Sequence, residues 1–175
     1  MEPSIFMIKQ FVKGRTAAFI DSSNIYFSQR EQGWRVDFVK LLQYLKSETD
    51  LMGAFFYTAY DSTHESQRKF LDFLELAGYN VRTKKVKFIR GKDGVGFHKG
   101  NLDVELTIDA VDRKEDFDTF LLFSGDSDFE ALIKYLKQHH KRCLVFSIKD
   151  HVSIELIKQA KYIDIKKLKE YIERK

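Results

Sequence analysis

Three short polar motifs carry the side chains best suited to chemistry in this sequence. Asp21-Ser22-Ser23-Asn24 follows the apolar run Phe19-Ile20, and Ser124-Gly125-Asp126-Ser127-Asp128 follows Leu121-Leu122-Phe123. The third, Lys99-Gly100-Asn101-Leu102-Asp103, opens a stretch of helical spacing. Each aspartate also has an ordinary structural use. Asp21 suits an Asx-turn, Asp126 or Asp128 suits a helix N-cap, and Asp103 suits a helical first turn, where an acid stabilises by about 0.3–1 kcal/mol. One helix needs one N-cap, however, and Asp126-Ser127-Asp128 offers three candidates. If the four acids converge, charges about 4 Å apart repel by about 4 kcal/mol at an effective dielectric near 20. Such a group takes up protons or gathers around a cation. The only cysteine is Cys143, and the five histidines, His139-His140 among them, lack a zinc-binding spacing. Hard oxygen ligands therefore point to Mg²⁺ or Mn²⁺.

The charge distribution supplies a second clue. Between Arg82 and Gly100 seven Lys or Arg face one acid, Asp93, in a chain whose net charge is +4. The strip comprises Arg82, Lys84, Lys85, Lys87, Arg90, Lys92 and Lys99, and it predicts a polyanionic partner. The alternative is a solvated hairpin whose edge lysines suppress aggregation. A cation held by carboxylates beside such a strip matches what phosphodiester hydrolysis requires, because Lys and Arg hold neighbouring phosphates. No histidine or lysine stands where a dedicated base would, so water activated by the cation is the natural nucleophile. Phe97 and Tyr60 are placed to stack on a base, or to serve as packing.

These motifs must be held by alternating strands and helices. Arg15–Ile20, Met52–Tyr60, Thr119–Phe123 and Cys143–Ser147 are apolar runs of strand length. Helical spacing recurs through Val36–Leu45, Phe70–Ala77 (stopped by Gly78), Leu102–Val111 and Asp128–Gln138; Ser153–Ala160 follows the last apolar run, and a charged C-terminal helix begins at about Lys166. Asn80–Ile89 reads as a strand or two, and four of the nine glycines then fall between Gly91 and Gly100. This alternation predicts an α/β three-layer sandwich: a central, mainly parallel sheet with helices on both faces. Ligands of such sheets collect beyond the carboxyl ends of strands, so two acidic loops more than a hundred residues apart can meet there.

Apolar residues make up 43% of the 175, enough for one domain with a real core. The apolar runs are too short to cross a bilayer, and the N-terminus lacks the pattern of a signal peptide. One cysteine allows no internal disulfide, which suits a reducing, cytoplasmic setting.

The three motifs, in this order and spacing, resemble those of the NYN domain family, a branch of the PIN-like nucleases, and in particular its LabA-like members. The resemblance spans about residues 15–165, leaving 1–14 as an N-terminal extension and 166–175 as a C-terminal helix packed on or extending the domain. It implies a PIN-like fold and an acidic, Mg²⁺- or Mn²⁺-dependent site that cuts RNA, with DNA as a possible second substrate. Carried over by motif, Asp21, Asp103, Asp126 and Asp128 are metal-site positions. Asn24 orients a carboxylate or binds phosphate, Ser124 supports the site through its hydroxyl, and Lys99 is the cation best placed for phosphate. Lys84, Lys85, Lys87, Arg90 and Lys92 complete the nucleic-acid surface. Leu102 stands where family members often have Val. Asp109 lies about 240° around the helix from Asp103 and cannot share its direction.

Three other readings compete with a nuclease: an RNA-binding module that keeps a metal-binding acidic site without turnover, an aspartyl phosphotransfer protein, and an interaction subunit. Asp21-Ser22-Ser23-Asn24 lacks the second acid usual in aspartyl phosphatases. The sequence leaves monomer and homodimer both open.

Overall fold

In the computed structural model, which describes residues 7–61, 63–90 and 96–175, the apolar runs form one six-stranded sheet. Its strands are β1 (Arg15–Asp21), β2 (Asp50–Tyr60), β3 (Asn80–Lys85), β6 (Thr119–Phe123), β7 (Arg142–Ser147) and β8 (Lys161–Asp164). A separate antiparallel hairpin joins β4 (Lys87–Arg90) to β5 (Gly96–Lys99). The sheet order is β3-β2-β1-β6-β7-β8, and every pairing in it is parallel. The chain moves outward from β1 through β2 to β3, then returns to the other side of β1 as β6. That reversal puts the topological switch, where α/β sheets open a crevice, between the two strands that end in acidic motifs.

Helices α1 (Ser22–Gln32), α2 (Phe38–Glu48), α3 (Glu65–Ala77) and α7 (Lys169–Ile172) pack on one face. Helices α4 (Asp103–Asp112), α5 (Glu130–Gln138) and α6 (Ile154–Gln159) cover the other. The central strands are therefore buried on both sides. Ala18 and Ile20 of β1 join the first core while Ala17 and Phe19 join the second, and β6 divides Leu121 and Phe123 from Phe120 and Leu122 in the same way. Double burial explains why these strands read as unbroken apolar runs rather than alternating ones. Phe123 stacks on Phe146 of β7 with ring centroids 4.5 Å apart. Such pairs add about 0.5–1.5 kcal/mol to the burial of each ring.

Four details depart from the sequence reading. Helix α1 starts directly after Asp21, where a polar loop was expected, and buries only Ile25 and Ser28. The helix expected from Asp128 begins instead with a 3₁₀ turn, Ser127–Phe129. The expected C-terminal helix is a 3₁₀ turn, Ile165–Leu168, followed by the single turn of α7, with Leu168 and Ile172 fully buried. Ile8, ahead of the first strand, is also fully buried, and its amide donates to the Tyr44 hydroxyl (3.4 Å). No helix among the described residues is long and apolar enough to cross a membrane.

Candidate metal centre

Asp21 ends β1 and is the N-cap of α1. Its Oδ1 accepts the amides of Ser23 (3.1 Å) and Asn24 (3.4 Å), satisfying orphan donors of the first turn. Its Oδ2 accepts the hydroxyl of Ser124 (2.9 Å), a fully buried residue just beyond β6. Ser124 thus ties the ends of the two central strands together through one carboxylate. Burial raises the Asp21 pKa, against the lowering effect of the Ser124, Asn24 and Ser23 bonds.

Beyond Ser124 the chain passes Gly125, where only glycine fits. A Cβ there would overlap the His151 carbonyl and lie 2.7 Å from Ser147 Oγ. The Gly125 carbonyl accepts the Ser153 amide (2.9 Å), locking the loop against the start of α6. Asp126 follows and caps the 3₁₀ turn, its Oδ1 accepting the Asp128 amide (3.0 Å). Asp126 is therefore the cap of Asp126-Ser127-Asp128, and the carboxylate of Asp128 stands exposed.

Asp103 opens α4, on the sheet face that α5 also covers. Asn101, which the sequence reading passed over, donates its Nδ2 to Asp103 Oδ2 (2.7 Å). One carboxylate oxygen from each of Asp103, Asp126 and Asp128 lies within 4.8 Å of the others. The Asp103 pKa is pushed up to about 6, first by burial and then by the charges of Asp21, Asp126 and Asp128. Asp21 is outside the three-oxygen group yet inside its field. Oxygens facing each other across Mg²⁺ stand about 4 Å apart, given bonds of about 2.0–2.1 Å. A span of 4.8 Å in an all-carboxylate, mutually repelling group therefore suits one hard cation with little side-chain movement.

The sequence profile of the NYN domain matches residues 15–166. The chain belongs to the NYN domain family. It is 34% identical over 169 residues to the Low amplitude and bright protein LabA of Synechococcus elongatus, a match covering 94% of this chain and 90% of LabA. The crystal structure of a protein of unknown function from Vibrio parahaemolyticus superposes with a TM-score of 0.73 at 26% identity, covering 94% of this chain and 96% of that one. NYN domains are generally nucleases, and nucleases of this kind usually use divalent metals.

The basic strip of this NYN domain divides into parts. Arg82 makes two bonds to Asp109, Nε to Oδ2 (3.1 Å) and Nη2 to Oδ1 (3.0 Å). Asp109 also accepts the Tyr57 hydroxyl (2.9 Å), so it serves a structural network and points away from the acidic centre. Lys84, expected to hold phosphate, pairs with Glu105 (2.7 Å) because β3 lies alongside α4. Lys85 is exposed at the end of β3. Lys87 and Lys99 are register partners in the hairpin that carries Arg90. The side chains of those three residues and of Phe97 lie outside the described residues, as does the whole of Lys92. Asn24 is half-buried, and its Oδ1 accepts the Ser147 hydroxyl (3.3 Å). Burial pushes the Cys143 thiol up to about 12, so it is an inert core residue.

Proposed function

We propose that this NYN domain is a Mg²⁺- or Mn²⁺-dependent endoribonuclease. One observation carries the reading: three carboxylate oxygens, from Asp103, Asp126 and Asp128, lie within 4.8 Å at the switch point of a parallel sheet. These three residues would hold the cation, with Asp21 beside them. A divalent cation there lowers the pKa of water and stabilises charge developing on phosphoryl oxygens.

The chain's own residues do the positioning. Ser124 and the amides of Ser23 and Asn24 fix Asp21, so its charge stays aimed at the crevice. Asn101 holds Asp103 from the other side. Asp126 is rigid because its Oδ1 is engaged in capping, which leaves Oδ2 for a ligand. Asn24, half-buried beside Asp21, orients the site or meets a phosphate. The hairpin that carries Lys87, Arg90 and Lys99, together with Lys85 and Lys92, supplies the charge that draws a phosphate backbone to the crevice.

The test is cleavage of end-labelled RNA in Mg²⁺ or Mn²⁺ by the wild type and by Asp126→Asn. The wild type should cut internally and the variant should not. Cleavage that persists in purified Asp126→Asn protein rules out this site. Salt-sensitive RNA binding without hydrolysis in either metal would instead fit a non-catalytic RNA-binding module.

A further inference from the structure

A cleft of about 1000 Å³ opens between α1 and α3, over the carboxyl-terminal half of β2, and nothing described above uses it. Its lining differs from the core beneath. Tyr26 and Phe27 of α1 are 60% and 56% exposed, with ring centroids 6.2 Å apart and planes at 74°. A helix needs no adjacent pair of exposed aromatics for packing, and α1 already anchors itself through Ile25. Across the cleft, Phe70 of α3 is also partly exposed.

The charges lining the cleft are all of one sign. Among the described residues, Arg30, Arg35 and Arg174 are its charged residues, and no Asp or Glu contributes. Arg174 donates its amide to the Arg35 carbonyl (2.8 Å), which sets these two cations side by side. Among the described residues none of the three is in an ion pair, in contrast to Arg82 and Lys84 on β3. The cleft also reaches the chain neighbours of the acidic centre, although none of the four aspartates lines it. Ser22 and Ser23 line it and directly follow Asp21. At its β2 end Ala59 packs on Gly100, where an added Cβ would stand 2.7 Å from the Ala59 Cβ, three residues before Asp103.

We infer that this cleft binds single-stranded nucleic acid and delivers it to the acidic centre. Tyr26 and Phe27 stack on successive bases, and Arg30, Arg35 and Arg174 hold the phosphates between them. A duplex keeps its bases stacked inside and offers no faces to these rings, so the cleft selects single strands. The substrate side of this inference rests on the nuclease reading, but binding in the cleft is measurable without turnover.

The experiment is titration of the whole chain, in EDTA, with a short fluorescein-labelled single-stranded oligoribonucleotide. Anisotropy reports affinity, and emission of Trp34, the one tryptophan and part of the lining, reports occupancy. The wild type should bind with quenching of Trp34. Joint replacement Tyr26→Ala and Phe27→Ala should weaken binding roughly tenfold or more. Arg30→Ala with Arg174→Ala should lower the slope of log affinity against log salt by about 0.7 for each arginine removed. All these side chains are exposed, so an unchanged thermal midpoint will confirm folding, and Tyr26→Phe should bind like the wild type. Wild-type affinity and quenching in the aromatic double variant would overturn the inference. So would equal binding of a duplex, or a wild-type dimer that the double variant splits, since the cleft would then be a contact between copies. Aromatic-dependent binding without cleavage would overturn the nuclease reading alone, whereas cleavage with binding indifferent to Tyr26 and Phe27 would overturn the cleft alone.

Discussion

Three of the four acids of helix α4, Asp103, Glu105 and Asp109, meet opposite fates. Glu105 and Asp109 are matched by cations of the neighbouring strand, Lys84 at 2.7 Å and Arg82 through two bonds, and Tyr57 adds a third to Asp109. Asp103, at the start of the same helix, has Asn101 and no paired cation among the described residues, and it faces Asp126 and Asp128 instead. The difference lies in what the protein supplies. Along the side of α4 the charge balance is closed by the chain, so those acids stabilise the fold. At its tip the balance among the described residues is left open, and the imbalance is concentrated where the two central strands end. Stability and function are thus separated within one helix by which strand each acid faces.

The largest expected effect tests how far the open end depends on its support. Ser124→Ala removes the hydroxyl that fixes Asp21 Oδ2 and accepts the amide of the proposed ligand Asp126 (3.3 Å). It should weaken Mn²⁺ affinity roughly 10- to 100-fold, as loss of an orienting partner does. Calorimetric titration of Mn²⁺ reads this directly, and Lys84→Ala on the closed side should leave it unchanged.

Acidity gives the next effect. The folded chain keeps a proton on Asp103 up to about pH 6, whereas an ordinary Asp loses it near 3.8. Between those values the folded state holds the extra proton, so Asp103's contribution favours folding at low pH and is lost as pH rises through about 6. Thermal melts of metal-free protein should show that loss, with added Mn²⁺ restoring stability at neutral pH. Mn²⁺ affinity should fall by about tenfold per pH unit below about 6, since binding must displace the proton.

The sharpest contrast is smaller in size. Asp103→Asn and Asp109→Asn are the same change on the same helix, and the account gives them opposite signs. Without metal, Asp103→Asn relieves repulsion and should raise Tm, whereas Asp109→Asn strips Arg82 of its partner and should lower it. Each shift should be about 2–4 °C, which corresponds to about 1 kcal/mol in a domain of this size once solvent screening of the half-exposed Asp103 is allowed for.

The sheet was legible because β1 and β6 are buried on both faces, so Phe19-Ile20 and Leu121–Phe123 stand out as apolar runs with polar ends. Helix α1 was not, because Ser22–Gln32 buries little more than Ile25, and its aromatics Tyr26 and Phe27 face outward. Strand β8 was missed for a similar reason: Lys161–Asp164 is short and fully buries only Ile163. In the acidic motifs the residue types were readable but the division of labour was not. Asp126 took the cap that sequence also offered to Asp128, and Asp21 came to lie outside the three-oxygen group. Lys84 looked free for phosphate because its partner, Glu105, is 21 residues away and meets it only when β3 lies alongside α4.

The open charge balance at the tip of α4 is the centre of this account, and anomalous diffraction from crystals soaked in Mn²⁺ tests it most directly. The account predicts a peak bonded to carboxylate oxygens of Asp103, Asp126 and Asp128, lost in Asp103→Asn crystals. A soaked crystal with no peak among these three, or with manganese bound only elsewhere, would contradict it.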